Sequence, residues 1–528
     1  MKNNILTYIF FIFIIIIVAF AVYKMNDKEQ EQAKEGTVVV EEEEKIQELK
    51  VGAVQFDTIN PILSNNKYVQ DISKLVYEPL LNLTTSYELE PCLATEWAKT
   101  NETTYVIKLR QNVKWSDGGE FTAEDVRFTI DRIKETETIY AYNMQYVIEV
   151  EAVDKQTLKI VLSQEVPFFE YNLTFPILSR DYCSGEDFTN STKVRNAVGT
   201  GAYKIDTRTD TYVTLEKNSL WWNKNNKSSS IDTIKILLYS NTGELYNDYK
   251  LGKLDIVNST NVNIENYIGT IGYNKAESSG REYDYIAINT ENAVLSNKEV
   301  RQAIMYAIDK NSIISNVYNG KYTIANYPLS YGSWLYQGNY DNTFNQEKAT
   351  QVLVDNGWQY KYGNWQKNIN YYTRRLNFKL VVNSSNEQRT RVAELIKEQL
   401  ENVGIKITLV KVPDNQYENY IENKNYDLII CGTYVAANPD LTRYFGDNNI
   451  ANYNNEEAKQ ILNELKNITD KETLRNKFKK LEEIYLEDVP YVSLYNSYNM
   501  LAYSDSITGN IQANWFNNFY NINTWNKK

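Results

Sequence analysis

Lys108–Arg132, KLRQNVKWSDGGEFTAEDVRFTIDR, is the stretch from which the rest of the chain is read. Its start closes a β-strand, because Thr104, Val106 and Lys108 alternate with Tyr105, Ile107 and Leu109, the period-2 pattern of a half-buried strand. Trp115-Ser116-Asp117-Gly118-Gly119 then predicts a tight turn, since Asp tolerates positive φ and Gly adopts it without steric cost. Thr122 follows as a helix N-cap, with Glu124 and Asp125 in the first turn, where the helix dipole favours negative charge. Val126, Ile130 and Ile133 fall on one face of that helix. Strand, turn and capped helix are so far a structural unit without chemistry.

The 528 residues suit two or three lobes rather than one core. Hydrophobic content of 42% and charged content of 23% are those of a soluble globular body. Net charge is −12 and no basic patch stands out, which argues against nucleic acid. Histidine is absent, which removes the usual general base, the usual zinc and nickel ligand and any Ser-His or Cys-His nucleophile pair. Cys92, Cys183 and Cys431 are far apart and odd in number; no metal spacing or disulfide framework follows, and buried free thiols are expected. Glu482-Glu483 offers a carboxylate pair, but the helical pattern places it on a solvated face, so acid–base hydrolysis is not the reading.

Ile5–Tyr23 is a nearly unbroken apolar run of 19 residues. At about 1.5 Å rise it spans roughly 28 Å, the thickness of a bilayer's hydrocarbon core. It is long for the apolar core of a cleaved signal, although Ala19-Phe20-Ala21 fits a small-x-small cleavage pattern. Residues 1–24 are thus read as an uncleaved membrane anchor with the body outside, a cleaved form being the alternative. Residues 25–48, rich in Lys, Glu and Gln, are read as a solvated linker.

Further signals follow in order: a strand at Leu49–Val54, an Asn60-Pro61 turn, a helix at Val69–Val76 and the glycine turn Val198–Tyr203. The glycine turn is not a phosphate loop, lacking the Lys-Ser/Thr ending. Tyr285–Thr290 reads as a strand, and Ser296 as the cap of a helix through Ile308 and Asp309. A helix at Gln388–Asn402 stops at Gly404. Strands follow at Ile405–Val410 and Tyr426–Ile430, helices near Glu456–Lys466 and Thr473–Leu486, and two last strands at Tyr491–Tyr495 and Met500–Tyr503.

Taken together, the Lys108–Arg132 string, Gly199-Thr200-Gly201-Ala202-Tyr203, Trp221-Trp222-Asn223, Leu251–Ile256 and Val300-Arg301-Gln302-Ala303-Ile304 to Asp309 resemble the family 5 extracellular solute-binding proteins of ABC importers, the oligopeptide- and dipeptide-binding type. The resemblance runs from about Leu49 to about Tyr503. It implies an α/β periplasmic-binding-protein type II fold, with two hinged main lobes and a small inserted domain. The limits expected are 49–82, 197–275 and 490–528 for lobe I, 83–196 for the insert and 276–489 for lobe II.

By the same resemblance, the solute is a peptide or similar small molecule enclosed by lobe closure, and the partners are permease and ATPase subunits; a monomer without metal or cofactor is expected. A surface receptor or scavenger for a non-peptide ligand such as an oligosaccharide, or a signalling-peptide sensor, is the alternative. The loop Ser64, Asn65, Asn66, Lys67 corresponds to one that approaches ligand, and Tyr140 and Tyr142 to a ligand-facing tyrosine loop. Gly432, Tyr434, Asn438, Asp440 and Tyr495 complete the candidate ligand-binding set. One departure stands out: relatives carry a Trp and an amine-binding Asp where this chain has Thr433 and Ala436. A desolvated ammonium needs a carboxylate partner, and Asp440 is the nearest substitute in sequence.

Overall fold

The computed structural model describes residues 12–25, 47–225, 229–336, 338 and 343–528. It divides into an N-terminal unit, Met1–Gln47, and a compact unit, Glu48–Lys528. In the first, residues 12–25 are helical with exposed side chains. The rest of the apolar run and residues 26–46 of the linker lie outside the described residues. No described helix is long and apolar enough to cross a membrane.

The compact unit opens with β1 (Glu48–Val54) and α1 (Lys67–Val76). Next come β2 (Ala94–Asn101), β3 (Thr104–Leu109), α2 (Ala123–Glu135), β4 (Val147–Asp154) and β5 (Thr157–Leu162). These four strands form a separate antiparallel sheet in the order β2-β3-β5-β4, with Val126, Ile130 and Ile133 of α2 buried. The opening stretch folds as its residues direct. Gly118 has φ +97° in the turn, and the Asp125 carboxylate accepts the Thr122 backbone N–H at 2.8 Å as half of a capping box. The turn is then held from outside, because Ser116 N–H donates to Gly199 O at 2.9 Å. Gly199 in turn packs so closely on the end of α1 that a Cβ there would sit 1.8 Å from Val76 O. Glycine is needed at this crossing for approach.

The chain continues through β6 (Tyr203–Arg208), β7 (Tyr212–Lys217), β8 (Thr233–Tyr239), β9 (Ile256–Ser259) and β10 (Asn274–Ile288). Then follow α3 (Lys298–Ala307), α4 (Lys310–Tyr318), β11 (Asn377–Asn383), α5 (Glu387–Asn402), β12 (Lys406–Val412), β13 (Leu428–Tyr434), α6 (Lys471–Asp488) and β14 (Tyr491–Tyr503). The main sheet has eleven strands; its path is β12-β11-β13-β10-β14-β9-β1-β8-β7-β6, with Thr323–Ile324 pairing β14 off the path. At the β10–β14 centre, alternate residues serve opposite faces: Ile286 and Ile288 pack in one core, Tyr283, Tyr285 and Ala287 in another. Burial on both faces is why this end of the sheet reads as continuous apolar runs. A third core, with β1, α1 and α2, holds the other end.

Several sequence expectations need correction. The two final strands are one, β14; the polar run Asn496–Asn499 that reads as a break is buried within it. The strand expected at Tyr285 is the tail of the 15-residue β10. The strand expected at Tyr426–Ile430 runs instead over Leu428–Tyr434. Asn297 rather than Ser296 occupies the cap position of α3, and the Ser296 hydroxyl donates back to Ala293 O. Glu482 is fully buried rather than on a solvated face, falling with Phe478, Leu481 and Tyr485 among the buried positions of α6. Arg301 has a packing role, donating to the Asp488, Leu295 and Ser296 carbonyls, while Asp309 caps α4. All three cysteines are buried and free. The expected boundary between residues 275 and 276 falls near the start of β10, which runs from Asn274 to Ile288.

Candidate functional site

Strands β10 and β14 pair from Asn274↔Tyr503 to Ala287↔Tyr491, with a break in register between Ser279 and Tyr283. Bulges of this kind re-aim side chains at the edges of sites. Here Gly280, Arg281 and Glu282 of the break, with Ser497 and Asn499 opposite, open onto a cleft of about 1530 Å³. That exceeds the ~300–1,000 Å³ of ordinary small-molecule pockets. Two of the polar residues inside β14, Ser497 and Asn499, line this cavity and also bond across to β10: Ser497 Oγ accepts from Glu282 N at 3.2 Å, and Asn499 donates to Ser278 Oγ at 3.2 Å.

The lining includes residues of α1 and the segments around Trp221-Trp222 and Trp515-Phe516, together with Arg281, Leu329, the end of β13 and Arg443. Residues of Tyr140–Tyr146 and Gln164–Pro167, flanking the four-stranded sheet, also line it.

Lys67, Asp71 and Lys74 lie three and four residues apart along α1, on one face, and all reach the cleft. Burial raises the Asp71 pKa, opposed by the two lysines and by Asn518, whose amide donates to the carboxylate at 2.8 Å. Burial lowers the Lys67 pKa, and Asp71 works against it. Deeper in, the two Glu78 oxygens accept the indole N–H groups of Trp221 and Trp222, each at 2.9 Å. Burial raises the Glu78 pKa against those hydrogen bonds, and Arg110 stacks 3.9 Å from the Trp222 ring centroid. Arg281 lies against two rings, 4.7 Å from Tyr434 and 4.9 Å from Trp515.

Of the residues singled out from sequence, Asn65, Lys67, Tyr140, Tyr142, Tyr434, Asn438 and Asp440 line this cleft. Tyr140 also donates to Gln70 Oε1 at 2.6 Å, and Asn438 donates to the Pro167 and Phe168 carbonyls at 3.2 Å. Asp440 Oδ1 accepts from Thr442 N at 2.9 Å and Thr442 Oγ1 at 2.6 Å, a local capping arrangement. Asn66 is the N-cap of α1, its side chain accepting from Tyr68 N. Tyr495 lies elsewhere, in a cavity of about 140 Å³ shared with Asp284, Tyr318 and Arg389, and Gly432 packs directly on Arg389 and Asp284. Sequence reasoning passed over Asp71, Arg281, Arg443 and Trp515. The first three carry no local motif, and Trp515 is separated from its ring partner Tyr87 by more than four hundred residues.

Residues 88–446 match the model of the bacterial extracellular solute-binding proteins, family 5. The oligopeptide-binding protein AppA of Bacillus subtilis is 25% identical over 90% of this chain and 91% of its own. Heme-binding protein A of Haemophilus influenzae is 26% identical over 85% and 87%. Among solved structures, the unliganded open form of the periplasmic murein tripeptide-binding protein MppA superposes with a TM-score of 0.77, at 19% identity over 91% of this chain and 97% of that one. The α/β fold is therefore of periplasmic-binding type II, and the protein binds solute rather than transforming it. The chain belongs to the family 5 extracellular solute-binding proteins.

Proposed function

We propose that this protein captures oligopeptides in the cleft at the β10–β14 break and delivers them to an ABC importer. The observation that carries the reading is the cleft itself: about 1530 Å³, bounded by three parts of the fold, with aromatic faces and hydrogen-bonding groups interspersed. An extended peptide needs that length, with aromatic surface for side chains and amides for its backbone. The peptide-binding names of AppA and MppA support it.

In this reading segments 49–82, 197–275 and 490–528 act as lobe I, 83–196 as the insert and 276–489 as lobe II. β10 and β14 are the connectors about which the lobes close. The candidate contacts are Asn65, Lys67, Tyr140, Tyr142, Tyr434 and Asn438. Asp440 contributes mainly by shaping its own turn. Ile5–Tyr23 tethers the body to the outer face of the membrane, and the protein works as a monomer.

A second reading, a non-peptide solute, draws on Ala436 standing in the amine-binding position and on the heme-binding relative. With no histidine in the chain, imidazole ligation of a bound heme iron is closed. Mass spectrometry of the solute released by denaturing freshly purified protein tests both. Peptides are expected; recovery of a tetrapyrrole or of sugars alone contradicts the proposal.

A further inference from the structure

The end of β13 is where this chain departs most from the family pattern, and two arginines meet it there. Backbone pairing continues past Glu282↔Tyr434, since Val435 N–H donates to Arg281 O at 2.8 Å. Arg281 therefore stands opposite Val435. Arg443 reaches the same strand end from the other side, its Nη1 donating to Thr433 Oγ1 at 2.8 Å. Thr433, Tyr434, Val435, Ala436 and both arginines all line the cleft.

Among the described residues, neither guanidinium is in an ion pair with a carboxylate of the protein. The contrast is with Arg389, which grips Asp284 at two points. Arg281 lies instead against two rings, its Cζ 4.7 Å from the Tyr434 centroid and 4.9 Å from that of Trp515. A guanidinium packed on aromatic rings rather than spent on a carboxylate keeps N–H groups free, which suits two-point recognition of an oxyanion. Of the carboxylates that line the cleft, Glu282 and Asp440 are the nearest to the two arginines in sequence, and Asp440 already uses Oδ1 on Thr442. Position 436, the residue after Val435, carries only a methyl group.

We infer that Arg281 and Arg443 form an anion subsite that takes a carboxylate of the bound solute, so that the β13 end of the cleft selects an acidic rather than an ammonium-bearing group. The inference rests on the cleft being the solute site. It names the charge of the ligand there.

The test uses the full-length protein and its Arg281→Gln, Arg443→Gln and double variants, with Arg281→Lys as a control that keeps charge but loses the planar fork. Calorimetric titration compares an N-acetylated pentapeptide pool as free acids with the same pool as C-terminal amides. Oligogalacturonate and its methyl ester provide a non-peptide pair. Thermal melts of each variant verify folding. The expected result is about tenfold or more tighter binding of the acids, lost in the double variant and partly kept by Arg281→Lys. Equal affinity of acid and amide overturns the subsite while peptide capture stands. Preference for oligogalacturonate over its ester, with no peptide bound, upholds the subsite and overturns peptide capture. Absence of a charge preference in both pairs, or of any binding, counts against the subsite.

Discussion

Arg389 grips Asp284 through two hydrogen bonds, Nε to Oδ2 at 2.7 Å and Nη2 to Oδ1 at 2.8 Å. The pair ties the middle of β10 to the first turn of α5. Tyr495 adds its hydroxyl to Asp284 Oδ2 at 3.1 Å, and Tyr318 meets that hydroxyl at 3.0 Å. With the Asp284 side chain 6% and the Arg389 side chain 24% exposed, removing one partner leaves a largely desolvated charge. Asp284→Asn is expected to lower unfolding stability by about 2–4 kcal/mol, somewhat under the fully buried case, measured by denaturant titration. A Cβ on Gly432 would sit 1.8 Å from Arg389 Nη2 and 2.6 Å from Asp284 Oδ1. Gly432→Ala should therefore destabilise through the same pair, and the two losses should fall well short of adding in the double variant.

The crossing of the glycine turn over α1 gives a sharper steric case. Gly199→Ala places a methyl 1.8 Å from a backbone oxygen, Val76 O, which no rotamer change relieves. A loss of about 3 kcal/mol or more is expected, read as a drop in melting temperature. An unchanged melt would mean that the turn and the helix end do not approach as described.

Lys310 is 7% exposed, and among the described residues its ammonium has the Ala325 carbonyl and Asn326 Oδ1 as partners, both at 3.0 Å. Burial lowers its pKa from 10.5 to about 7. Between those values the unfolded chain binds the proton that the folded chain has released, so stability rises with pH across that window. Measured against Lys310→Met, the native protein is expected to gain stability from pH 7 towards pH 10. A difference that stays flat over that range contradicts the depressed value.

Asp440 is the acid that sequence offered in place of the missing one at Ala436. Its Oδ1 is engaged by Thr442. Asp440→Asn is expected to cost about 1 kcal/mol or less of stability, the worth of a cap. Binding of free-amine peptides relative to their acetylated forms should not change. A selective loss for the free amines would restore Asp440 to an ammonium-binding role.

Local chemistry made much of this fold readable in advance. The Trp115–Gly119 turn, the Thr122–Asp125 cap and the apolar face of α2 depend on residues within a few positions of one another, and each folds as read. The missed features depend on distant partners. Asn496–Asn499 looks like a loop until β10 supplies its pairing and the cleft receives Ser497 and Asn499. Arg281 sits in the polar run ahead of Tyr283, and its meaning comes from Tyr434 and Trp515, more than a hundred and fifty residues away in each case. Glu482 reads as solvated because its neighbours along the helix include Glu483 and Lys480, yet α6 buries that position.

The central claim is that an oligopeptide occupies the cleft, and Trp221, Trp222 and Trp515 on its wall report on it directly. Tryptophan fluorescence of the ligand-free protein, titrated with a pool of mixed oligopeptides, is expected to change saturably. Trp515→Phe should reduce the amplitude of that change. Fluorescence that stays constant to the highest peptide concentration, in protein shown to be folded and free of solute, would contradict the account.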